Sequence, residues 1–292
     1  MKAATPLAVA VTIAATAAGI TTATAASPST GAVAPKAMAS AAHALPRINV
    51  TTNGKTMTVG GSLVSGAVDV VTVTSREPVS NPVFIRLNRG VSYAQVFHLL
   101  MSPAGQDPNV VRRVGAIVFD ANAKSGRRVH VQVNLAPGRY LGLDVVALRS
   151  GAAPPFAKFT IARSAHPAML PKATGGTVRA IEFAFRGNRT LRSGQWVRWR
   201  NNGYLVHMFV VFRSTKAFPA REIARLLRQG KDRQLPNNLG TLAGAGPLSW
   251  RAAQQQRLLL KPGRYVVACF MDTQDGREHT TLGMERILRV VR

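Results

Sequence analysis

The sequence predicts an all-β chain built as two tandem Greek-key β-sandwiches, each interrupted by one short inserted helix. Three observations carry this expectation. Short apolar runs alternate with turn residues through most of the chain. Two sequence anchors recur in the same order in each half. Only one segment per half shows helical periodicity.

The first anchor is LVSGAVDVVTV, residues 63–73, matched by LRSGQWVRWRN, residues 191–201. The second is VQVNLAPGRYLGLD, residues 131–144, matched in its last part by RLLLKPGRYVVAC, residues 257–269. These pairs place two copies of one domain at 46–163 and 177–292, with a linker at 164–176. Pro followed by Gly suits the centre of a type II turn, because Pro fixes the first φ and Gly tolerates the positive second. With apolar runs on both sides, each Pro-Gly-Arg-Tyr is expected to close a β-hairpin.

In the second copy, strands are expected over 178–185, 195–201, 207–213, 256–260, 264–270 and 284–291. Alternation puts Trp196, Arg198 and Arg200 on one face of their strand and Val197 and Trp199 on the other. The segment PAREIARLLRQG, 219–230, has Pro219 at a first turn, Ile223, Leu226 and Leu227 on one face, and Gly230 as a stop. Its counterpart SYAQVFHLLMS offers Ser92 as N-cap.

The chain has 292 residues, 46% of them hydrophobic, enough for a substantial core. Residues 1–26 begin with Lys2, continue through an acid-free apolar stretch and end in small residues, the pattern of a secretory signal. Residues 27–45 are low in complexity and read as a flexible linker. No later window is apolar enough for a membrane span. The mature protein is therefore expected to be secreted or extracytoplasmic, soluble or peripherally attached. A net charge of +26 attracts polyanions: acidic cell-surface polymer, anionic lipid, nucleic acid or an acidic protein. Nucleic acid is disfavoured, since no reading motif is present and export removes the opportunity.

Cys269 is the single cysteine, so it has no internal disulfide partner. It lies in YVVACFMDTQDGREHTTLGM, residues 265–284, separated from His279 by nine intervening residues, with Met284 beyond. A second passage, NNGYLVHMFVVF, residues 201–212, sets His207 at the head of an apolar strand. Each of the four residues alone also fits a plain core position. Together, two imidazoles, a thiolate and a thioether form the donor set of a blue-copper site. Asp272 and Asp275 lie in the same loop and read as turn residues.

NNGYLVHMFVVF resembles the segment around the first copper histidine of plastocyanin-like cupredoxins. YVVACF, followed by His279 and Leu-Gly-Met, resembles their C-terminal ligand loop. The resemblance covers most of 177–292 and extends more weakly to 46–163. It implies Greek-key sandwiches and one type 1-like copper ion, with His207, Cys269 and His279 as equatorial ligands and Met284 as the axial one. The nine-residue gap is longer than in most such loops, so an excursion turning at Asp275-Gly276 is expected before His279 returns. Met208 stands where plastocyanins often carry an asparagine that braces the ligand loop.

Carried to the first copy at the spacing of the Pro-Gly-Arg-Tyr pair, Cys269 falls on Asp144, His207 on Pro82, His279 on Pro154 and Met284 on Phe159. The first copy is therefore expected to be a degenerate, metal-free domain. His43, His98, His130 and His166 read as structural. The function this implies is one-electron transfer, or copper holding and delivery, by a secreted protein that is not an enzyme. A redox partner is implied. A multicopper oxidase needs His-x-His pairs, and the six histidines here form none. No hydrolase constellation stands out. The alternative is a metal-free interaction module binding an anionic cell-surface polymer or an acidic partner.

Overall fold

The computed structural model describes residues 44–146, 153–236, 238–241 and 244–292. The signal-peptide segment and nearly all of the 27–45 linker lie outside the described residues. Among the described residues no helix is long and apolar enough to cross a membrane.

The first half contains β1 (Arg47–Thr52), β2 (Met57–Gly61), β3 (Gly66–Thr74), β4 (Val79–Ser80), β5 (Pro82–Leu87), α1 (Tyr93–Met101), β6 (Gly115–Asp120), β7 (Ala123–Lys124), β8 (Arg128–Leu135), β9 (Gly138–Asp144) and β10 (Phe156–Ile161). The second contains β11 (Gly176–Ile181), β12 (Ala184–Gly187), β13 (Thr190–Arg192), β14 (Trp196–Asn201), β15 (Val210–Arg213), α2 (Ala220–Arg228), β16 (Gly240–Thr241), β17 (Ala253–Arg257), β18 (Gly263–Ala268) and β19 (Glu285–Val291). Short strands in stacked sheets, with helices confined to one segment per half, make the chain an all-β sandwich protein.

The pairing pattern is the same in both halves. β1 runs parallel to β3 and antiparallel to β2, as β11 runs parallel to β14 and antiparallel to β12. β9 lies between β5 and β10, as β18 lies between β15 and β19. The halves share one eight-stranded sheet, ordered β12-β11-β14-β17-β8-β3-β1-β2. The equivalent strands β8 and β17 meet antiparallel at its centre. Sheets β10-β9-β5-β6 and β13-β19-β18-β15-β16 pack on its two ends.

Each half has its own core between the sheets. Ile48, Val70, Phe84, Phe119 and Tyr140 fill the first; Val178, Trp199, Phe209, Val267 and Leu288 fill the second. Both helices cover the outer faces of the smaller sheets. Ile223, Leu226 and Leu227 of α2 pack on Val210, Phe212 and Val266. Ser92 caps α1, accepting from the Gln95 N–H while the Gln95 side chain accepts from the Ser92 N–H.

Three expectations need correction. The Pro-Gly-Arg-Tyr turns do not close hairpins: β8 pairs with β3 and β17, whereas β9 pairs with β5 and β10. They carry the chain between sheets. The hydroxyls of Tyr140 and Tyr265 fasten these corners, donating to Ala136 O at 2.6 Å and Lys261 O at 2.7 Å. The strand expected over 178–185 is two strands, β11 and β12, folded back through a turn at Glu182 and Phe183. The strand expected over 256–260 is displaced to β17. Two of its glutamines are buried where the halves join: Gln254 Nε2 donates to Asp120 O at 2.8 Å and Gln255 Nε2 to Gln132 Oε1 at 2.6 Å.

Candidate metal centre

Three segments of the second half deliver three side chains to one buried point. The first is the loop from β14 into β15. Asn201, buried at the end of β14, organises it: its Nδ2 donates to Leu205 O and Leu248 O at 2.6 and 2.8 Å, and its Oδ1 accepts the Gly203 N–H at 2.8 Å. His207 does not yet belong to β15. It exchanges two backbone hydrogen bonds with Leu248, at 3.1 and 2.9 Å. Gly203 backs onto its ring, and a Cβ there would stand 2.8 Å from His207 Nε2 and 2.6 Å from Glu182 N. Only glycine fits this approach.

The second segment is the end of β18. Cys269 follows Ala268, with its N–H donated to Met284 O at 3.2 Å. The third is the long loop to His279, and it is a small hairpin. Asp272 pairs antiparallel with Glu278, the Thr273 N–H donates to Arg277 O at 2.9 Å, and the His279 N–H donates to Met271 O at 2.8 Å. Gly276, at φ 77°, turns the tip. The nine intervening residues therefore fold out and back and return His279 beside its starting point.

The Nδ1 atoms of both histidines face the Cys269 Sγ, His207 at 3.7 Å and His279 at 3.4 Å. The three candidate ligand atoms all lie within 4.8 Å of one another, and all three residues are fully buried. The Met208 N–H points at Sγ from 3.4 Å. Phe183 meets the His279 ring edge-on at 5.2 Å between centroids. Met284 is buried in the same core as Cys269, and its N–H donates to His279 O at 2.9 Å. Asp272 and Asp275 stay out of the cluster; Asp275 pairs with Arg277 at the exposed hairpin tip.

Burial sets the electrostatics. It pushes the His207 imidazole down to about 3, helped by the neighbouring His279, and the His279 imidazole down to about 4. It pushes the Cys269 thiol up to about 12, against the opposing pull of the Met208 and Met271 N–H groups. The protein alone thus holds two neutral imidazoles and a neutral thiol. A soft cation reverses the balance for sulfur, because metal coordination deprotonates a thiol outright. Two neutral nitrogen donors and one sulfur, all buried, fit copper.

The equivalent place in the first half differs from the sequence-based match. Strand register aligns His207 with Ser80, not Pro82, and Met284 with Pro155, not Phe159: Ser80 pairs with Ala123 as His207 pairs with Leu248, and the Asp144 N–H donates to Pro155 O as Cys269 does to Met284 O. Asp144 does stand at the Cys269 position. Its buried carboxylate accepts from Ser80 Oγ at 2.6 Å, Thr52 Oγ1 at 3.1 Å and the Asn81 N–H at 2.9 Å. His98 lies in α1, His130 binds Asp69 at 2.9 Å, and His43 lies outside the described residues.

No protein-family model matches the chain, and no curated protein matches it. Among solved structures, reduced auracyanin from the photosynthetic bacterium Roseiflexus castenholzii aligns at 16% identity over 40% of this chain and 95% of its own, with a TM-score of 0.28. Auracyanin A, a blue copper protein from Chloroflexus aurantiacus, aligns at 19% identity over 39% and 96%, with a TM-score of 0.25. A multicopper oxidase aligns at 10% identity over 84% and 88%, with a TM-score of 0.23. The metal reading rests on the side chains themselves.

Proposed function

We propose that this is an exported, cupredoxin-like protein in which His207, Cys269 and His279 would hold one copper ion, with Met284 as a further, weaker thioether donor. It carries single electrons, or holds copper and hands it on. The observation that supports this reading is the convergence of two imidazole Nδ1 atoms on one buried thiol from three chain segments. The signal-like residues 1–26 support export. The matching strand order of the two halves supports a tandem origin, with the first copy metal-free.

A copper ion held by this set would supply one-electron Cu(I)/Cu(II) chemistry. The chain supplies the rest. Burial keeps water from the donors. The Met208 N–H stabilises negative charge on Sγ. Backbone ties at His207, Cys269 and His279 hold the donors still, which lowers reorganisation. Phe183, 36% exposed and packed on His279, is an exit toward the surface. The histidine count argues against an oxidase with a further copper cluster.

The test is copper loading of wild type and Cys269→Ser, followed by absorption and EPR. Wild type is expected to show a visible thiolate-to-copper charge-transfer band that the variant lacks. A wild type that binds no copper by calorimetry overturns the reading.

One surface supports an anionic partner. A groove of about 670 Å³ is lined by Arg179, Arg186, Arg286, Asn188 and Asn202. Arg179 sits directly opposite Arg186 on one side and Arg200 on the other. Like charges across a ladder repel, and among the described residues no carboxylate pairs with the groove arginines. Asn202 belongs to the same loop as Gly203, so the groove borders the His207 side of the centre. An acidic redox protein or an anionic polymer would be held there, with binding that weakens as salt rises. This groove would also serve the metal-free alternative, which the copper titration separates.

A further inference from the structure

The candidate metal centre is built by the second half, yet its two ligand loops are fastened together by one residue of the first. Asn109 lies in the 3-10 turn Pro108–Arg113 and is 2% exposed. Its Oδ1 accepts the Val206 N–H at 2.7 Å, one residue before His207. Its Nδ2 donates to Asp272 O at 3.3 Å, inside the hairpin that joins Cys269 to His279, and to Asp107 Oδ1 at 2.8 Å. One amide thus grips both loops at once. Its orientation is fixed, because the Val206 N–H needs an acceptor and the Asp272 carbonyl needs a donor. Aspartate lacks the donor, and an apolar side chain lacks both.

Two further contacts join the same halves. Val206 is buried among Val83, Ile85, Val96, Val111 and Leu141 of the first half, and Met271 packs against that cluster. Ser249 and Ile117 exchange hydrogen bonds, with the Ile117 N–H on Ser249 Oγ and the Ser249 N–H on Ile117 O, both at 2.9 Å. Ser249 follows Leu248, the backbone partner of His207. The first half therefore holds the His207 loop from both flanks.

We infer that Asn109 is a positioning residue of the copper site, and that the metal-free half is the rigid second wall of the metal centre. The brace that Met208 cannot supply beside His207 comes from the other half of the chain. This inference rests on the copper reading for its purpose, but not for its contacts.

The experiment compares full-length wild type, Asn109→Ala and Asn109→Asp. In metal-free protein, amide exchange at Val206 is expected to rise in Asn109→Ala and stay slow in Asn109→Asp, which keeps the acceptor. After copper loading, both variants are expected to show altered EPR hyperfine splitting and copper affinity lowered about tenfold or more, as when a metal ligand loses its supporting hydrogen bond. Wild-type Val206 protection in Asn109→Ala overturns the brace. So does a wild-type copper spectrum with wild-type affinity in either folded variant. A wild type that binds no copper, with Val206 loosened in Asn109→Ala, overturns the proposed function while leaving the brace in place.

Discussion

Cys269 and Asp144 hold the same place in the two halves of the chain. The Cys269 N–H donates to Met284 O at 3.2 Å, and the Asp144 N–H donates to Pro155 O at 3.0 Å. Each side chain accepts an N–H from the segment leading into the strand opposite, Met208 onto Sγ at 3.4 Å and Asn81 onto Oδ1 at 2.9 Å. Around the sulfur stand two imidazoles; around the carboxylate stand two hydroxyls, Ser80 and Thr52. One scaffold thus carries two solutions to the same buried position. In the first half the protein's own donors satisfy the group. In the second, donors of the copper-binding type converge on it.

Asp144→Ala tests the first solution. It strips partners from Ser80, Thr52 and the Asn81 N–H inside a closed core. Buried donors left unpaired cost about 3 kcal/mol or more in total. Urea unfolding should show that loss, while copper binding and spectrum in the folded variant stay as in wild type. An unchanged stability would mean the network contributes little.

Gly203→Ala tests the close approach behind His207. The added carbon meets His207 Nε2 at 2.8 Å and the Glu182 backbone nitrogen at 2.6 Å, so ring or loop must move. Overpacking of this kind costs about 1–3 kcal/mol. The copper charge-transfer band should shift as the imidazole tilts. A variant with wild-type stability and spectrum would show that the loop gives way freely.

The two sheet-to-sheet corners should behave alike. Tyr140→Phe and Tyr265→Phe each remove one hydroxyl donation to a carbonyl, worth about 1 kcal/mol. Burial raises both phenols, Tyr140 to about 12, so neither ionises at working pH. The corners belong to different cores, so the losses should add in the double variant. Denaturation midpoints of the three proteins check this.

The meeting of His207, Cys269 and His279 was legible because a soft-metal donor set calls for particular residue types, and their order along the chain survives any loop length. The Ser92 cap was legible because a capping box is local. The corners at Pro-Gly-Arg-Tyr were not, since whether two flanking strands pair depends on neighbours far away in sequence. The seam of the shared sheet hid for a related reason. Nothing in the local sequence marks Gln254 and Gln255 as buried; their burial depends on partners from the other half, Asp120 and Gln132. Residue spacing misplaced Ser80 by two positions because the repeat changes register between one strand and the next. Asn109 carried no signal at all: a lone Asn in a turn becomes a brace only when the other half of the chain is set against it.

The acid response of the metal-free protein follows from three groups near the centre, two buried histidines and the half-buried Glu278. His207 and His279 lie at about 3 and 4 when folded, below their ordinary 6.5. Between those values the unfolded chain binds more protons, so each histidine removes stability as pH falls. Glu278 acts the other way. Burial raises it from 4.5 to about 7, with Asp232 and Asp272 adding to the shift, so the folded state takes up its proton first. It adds stability as pH falls from about 7 toward 4.5. From pH 6.5 to 5 each histidine costs up to about 2 kcal/mol, and Glu278 returns a similar amount. The net slope should correspond to about one proton taken up on unfolding, and to about two in Glu278→Gln. Urea titrations of both metal-free proteins at half-unit pH steps measure these slopes. Equal slopes would show that Glu278 ionises normally. Bound copper should steepen both curves near neutrality by about one proton, because the folded copper form would hold Cys269 as a thiolate while the unfolded chain keeps the thiol protonated.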